Sequence, residues 1–139
     1  MSKRIVSMVG LFALMALLTG VLTAAAPMPN TTFALVQGLP STMNAGETYT
    51  VIVQVDSDQE FTSIQALPSF QFPGKGVVAV QGGDRTGRGT SATIQITFKA
   101  KGSTVMMPGG VAPVYVVVGV RYGGGYVAVQ EHLFNVAVP

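Results

Sequence analysis

The only imidazole in the chain is His132, and it stands beside Glu131. A histidine and a carboxylate within reach of a substrate can move a proton to or from it, so this pair is where acid–base catalysis would begin. The rest of a catalytic constellation is missing. No Gly-x-Ser-x-Gly turn occurs, cysteine is absent, and a single histidine on a strand without a nucleophile motif reads as an ordinary surface or edge residue. No catalytic residue is assigned, and the chain is read as non-enzymatic. A two-carboxylate hydrolysis is the one enzymatic route that the six acids leave open.

Metal chemistry meets the same shortage. A blue-copper site needs a thiolate and two histidines, and this chain has neither. Met28, Met43, Met106 and Met107 with His132 offer soft ligands for Cu(I), but methionines scattered in this way usually fill gaps in cores or loops. Asp56, Asp58 and Glu60 alternate like the opening of a calcium loop, yet the glycine and the distal glutamate of that loop are absent. They read as a solvated connection between strands. The sequence thus gives no metal and no cofactor.

Binding chemistry is better supplied. Gly82 to Gly89 (GGDRTGRG) would form a flexible glycine-rich turn, in which backbone N–H groups and the guanidinium forks of Arg85 and Arg88 could meet a phosphate, a carboxylate or a sulfated sugar. It lacks the Lys-Ser/Thr ending of a nucleotide-binding loop. Tyr115, Tyr122 and Tyr126, if exposed, could stack on sugar rings, although tyrosines also fill cores. Arg85, Arg88, Tyr115, Tyr122 and Tyr126 are therefore the candidate binding residues, for a glycan or an anionic surface.

These groups need a scaffold, and the composition indicates which. The chain has 139 residues, room for one domain. Charged residues are only 10%, with 17 glycines and 8 prolines, and alternating Val, Ile, Thr and Tyr between them favour strands and turns. Lys3 and Arg4 precede an apolar run from Ile5 to Leu22 and then Thr23-Ala24-Ala25-Ala26. That is the order of a secretory signal peptide, cleaved after Ala25, or of an uncleaved membrane anchor. Both place the remainder outside the cytoplasm, in the periplasm, on the cell surface or beyond. Apart from Lys3 and Arg4, six basic residues face six acids, and this balance argues against a nucleic-acid partner.

Residues 27–31 read as a linker and 32–139 as the domain. Strands are expected at Thr32 to Gly38, Thr48 to Asp56, Phe61 to Phe72 with Pro68 marking an edge or a bulge, Gly76 to Gln81, Ser91 to Lys101, Pro113 to Tyr122 and Tyr126 to Val138. In the fifth, Ile94, Ile96, Phe98 and Ala100 alternate with Thr93, Gln95, Thr97 and Lys99, so one face is core and the other water. In the second, Tyr49, Val51, Val53 and Val55 share a face. From Val114 to Val120 both faces are apolar, more than one core needs to hide.

Seven antiparallel strands following an N-terminal hydrophobic helix predict an all-β, immunoglobulin-like sandwich, with a small closed barrel as the alternative. Gly38-Leu39-Pro40, then Ala45 to Val51 (AGETYTV), and the final paired strands resemble bacterial immunoglobulin-like and fibronectin III-like modules. The resemblance implies an adhesive, spacing or accessory part of the cell envelope and assigns no functional residue. The expectation is an exported accessory or structural subunit that contacts an envelope or membrane protein complex. It is held to the membrane by the N-terminal segment if that is not cleaved.

Overall fold

The computed structural model describes residues 27–70 and 75–139. The proposed signal peptide or anchor lies outside the described residues. The elements are β1 (Thr31–Gln37), β2 (Thr48–Phe70), β3 (Val77–Gln81), β4 (Gly83–Ala100), β5 (Ala112–Tyr122) and β6 (Val127–Val136), with a short 3-10 turn at Pro108–Gly110. All strand pairs are antiparallel, in the order β3-β4-β2-β5-β6, and β1 adds to β2.

Among the described residues six strands replace the expected seven, because the second and third are one. β2 runs for 23 residues, and Asp56 to Glu60, expected to be a loop, is an irregular stretch inside it. Asp56 faces Ser91 and Phe61 faces Gly89, so β2 spends five steps where β4 spends two. A second irregularity, between Phe61 and Ser63, changes which face is inward: Val51, Val53, Val55 and Phe61 are buried before it, Ile64 and Ala66 after it. Without such a bulge the period of two would turn the second half of the strand inside out.

Bulged strands of this kind carry a sheet round a corner from one layer to the next. The first half of β2 lies between β1 and the second half of β4, with β3 outermost. Its second half lies between the start of β4 and β5, with β6 outermost. β4 curls so far that Gly83 rests against the carbonyl of Gln95 in its own strand. Gly82 to Thr90 is therefore not a hairpin tip. Gly82 alone joins β3 to β4, and the glycine-rich stretch is the first half of β4, paired with β2 from Ala66 to Phe61.

The two layers close over one core. Val51, Val53, Val55, Ile94, Ile96 and Phe98 supply one side of it and Ile64, Val114, Val116, Val118 and Val120 the other. Phe98 meets Phe70 edge to face across the layers, ring centres 6.2 Å apart. The alternation expected between residues 93 and 100 is the one observed, with Phe98 fully buried and Lys99 exposed. Tyr49 keeps the face of Val51, Val53 and Val55, opposite Phe98, yet is 37% exposed, because it sits at the very start of β2. Pro68 pairs with Val116 on one side only, since β4 ends its pairing at Ala66. A residue without an N–H is tolerated on that open side. The result is an all-β, antiparallel, immunoglobulin-like sandwich.

Candidate functional site

The fold separates the residues that the sequence grouped. Arg85 lies on β4 opposite Ile64, and Arg88 lies in the β4 irregularity between Thr86 and Gly89. Arg88 is engaged: its guanidinium is 3.1 Å from Glu60, both side chains well exposed. Arg85 shares a shallow depression of about 220 Å³ with Asp84, Ser63 and Arg121. Tyr122 is not available to a ligand. It is 3% exposed, accepts a hydrogen bond from Thr31 (2.6 Å) and donates one to Ser57 (2.7 Å), tying β1, the β2 bulge and β5 together. Tyr115 is half-buried on the outward side of β5, and Tyr126 lies in the β5–β6 turn, tilted against Tyr122.

His132 and Glu131 are also parted. Neighbours on a strand point to opposite faces; Glu131 is exposed, while His132 shares the inward side of β6 with Phe134 and Val136. Its Nε2 is buried and makes no hydrogen bond to a described residue. Of the three acids read as a solvated connection, Asp56 accepts from Ser91, Asp58 from the Asn30 amide, and Glu60 pairs with Arg88.

What the fold does assemble is a difference between its two outer faces. On the first layer the outward side chains of β2 and β4 bond to one another: Thr50 to Thr97 (2.9 Å), Gln54 to Thr93 (2.7 Å), and Ser91 to Asp56 (2.8 Å); its most exposed apolar groups, Val36 and Val80, stand on the flanking strands β1 and β3. On the other layer the cross-strand rows are Gln65–Gly119–Val129, Leu67–Val117–Glu131 and Ser69–Tyr115–Leu133. Leu67, Val129 and Leu133 are each at least half exposed, and Val127 is 42% exposed. Gly119 opens a groove of about 190 Å³ between Leu67, Val117, Val127 and Val129. The apolar surplus expected at residues 114–120 is not exposed there: Val114, Val116, Val118 and Val120 are fully buried and Val117 is half-buried, and the exposed apolar groups stand on β2 and β6.

Another cavity, about 560 Å³, lies elsewhere and has no sequence signature, because its walls come from separate parts of the chain: Lys75 and Gly76, Lys101 to Ser103, and Met106 to Pro108. Thr104 holds them. It is fully buried, donates to the Gly110 carbonyl (2.7 Å) and accepts from the Val138 amide (2.8 Å). A Cβ on Gly76 would lie 3.0 Å from the Thr104 methyl, and Gly76 has a positive φ of 72°, so this wall approaches closely only because it is glycine.

No protein-family model and no curated protein sequence matches the chain. Solved structures similar to it include a chain of the complex between Zinc 2-glycoprotein and Prolactin inducible protein from human seminal plasma. The TM-score is 0.49 at 10% identity, covering 84% of this chain and 98% of that one. The sporulation control protein Spo0M of Bacillus subtilis gives 0.47 at 16%, over 80% of this chain and 50% of its own. Murine CRIg gives 0.39 at 9%, over 81% and 99%. At these identities the likeness concerns the fold alone.

Proposed function

We propose that this chain is a non-catalytic interaction domain, exported to the cell envelope, whose β2–β5–β6 face receives an apolar surface of a partner protein. The observation that carries this reading is the contrast between the two outer faces. One satisfies its polar groups internally and the other leaves Leu67, Val127, Val129 and Leu133 in water. Exposed apolar area of that kind, interspersed with polar groups, is what a binding face supplies. The parting of His132 from Glu131 supports the non-catalytic half, and the order of charge, apolar run and alanines in residues 3–26 supports export.

The test is charge placed on the face. Val129→Asp with Leu133→Asp removes two exposed apolar groups without touching the core, so the thermal midpoint stays within a few degrees of the native protein. Association with the native envelope, measured by co-purification from solubilised membranes, is then lost. Undiminished association of a folded double variant contradicts the proposal.

A further inference from the structure

The cleft between Lys75, Lys101 and Met106 plays no part in that reading, and its chemistry is distinct. Among the described residues the one salt bridge joins Arg88 to Glu60, so Lys75, Lys99 and Lys101, all the lysines described, are without an ion-pair partner there. Two of them line the same cavity. The hydroxyl of Ser103 lines it as well and accepts from the Val105 amide (3.1 Å), which leaves its proton free to donate. Met106, which lines the cleft, is 95% exposed, and Val105, next to it in the chain, 65%. The loop that carries them is fixed through Thr104 to Gly110 and Val138, so this wall of the cleft is held by the fold itself.

We infer that this cleft binds a phosphate ester. Ammonium groups act on anions as point charges, whereas the flat carboxylate is matched by the arginine fork. No arginine lines the cleft, and a tetrahedral phosphate, unlike a flat carboxylate, turns oxygens in several directions toward the ammonium and hydroxyl donors of its walls. The exposed Val105 and Met106 would lie against whatever apolar body the phosphate carries. The site is remote from the start of β1: Thr31 faces Ser57 and Lys99 faces Thr48, a separation of roughly 30 Å along β2 at the usual strand rise.

Two sources share this chemistry, a phospholipid headgroup and a soluble organophosphate. The full chain in nonionic detergent is titrated with glycerol 3-phosphate, with dihexanoylphosphatidylglycerol, and with dihexanoylglycerol, which has no phosphate. The readout is the amide resonances of Gly76, Gly102 and Ser103. One or both phosphate esters shift them, Lys75→Glu with Lys101→Glu weakens binding at least tenfold, and Arg85→Glu leaves it unchanged. Equal affinity for the two esters assigns a soluble ligand. A tenfold preference for the lipid, reduced by Met106→Ser, assigns a headgroup. Absence of shifts with both esters, equal binding by dihexanoylglycerol, or unweakened binding by the folded double-glutamate variant overturns the inference.

Discussion

At position 83 the backbone leaves no space for a side chain, since a Cβ there would strike the Gln95 carbonyl, a group that cannot swing away. Gly83→Ala is expected to destabilise the domain by about 2–3 kcal/mol, as overpacking against a fixed neighbour does, read as a shift of the denaturant midpoint. Tyr122→Phe removes a hydroxyl bonded to Thr31 and Ser57 and should cost roughly 1–2 kcal/mol, without altering partner association. His132→Leu replaces a buried Nε2 that has no hydrogen-bond partner among the described residues by an apolar group and should be neutral or stabilising by about 1 kcal/mol. A loss of biological role in that folded variant would instead restore an acid–base or metal reading.

Among the elements, the second half of β4 was fully legible, because an uninterrupted period of two leaves only one register that keeps Lys99 out of the core. Phe98→Ala should cost roughly 3–5 kcal/mol, whereas Thr97→Ala, which gives up one hydrogen bond to Thr50, should cost about 1 kcal/mol or less. Equal losses in a denaturant melt would mean that the register is wrong. The continuity of β2 was not legible. Asp56 to Glu60 has the composition of a turn, and only the pairing partners on either side, β1 and β5, show that the chain passes through it as a bulged corner. The same long-range pairing turned Gly82 to Thr90 from a loop into a strand and drew Tyr122 into the core. Lys75 and Lys101 line one cleft because Val77 at the start of β3 pairs with Ala100 at the end of β4, and no local pattern announces that.

At the scale of the molecule, export and contact are separate claims with separate tests. Mass spectrometry of the native protein is expected to show a chain beginning at Ala26, or an intact chain held as an anchor, and in both cases a location outside the cytoplasm; a cytoplasmic location removes the export reading. Contact rests on the inequality of the two outer faces, one self-bonded and one apolar. The most direct measurement is site-specific photo-crosslinking in the native envelope, with a benzoylphenylalanine placed at Val129 on the apolar face and, in a second chain, at Thr93 on the polar one. A discrete crosslinked protein from position 129 that is lost with Leu133→Asp, and none from position 93, is the result expected. Equal crosslinking from both positions, or none from 129, would contradict the account.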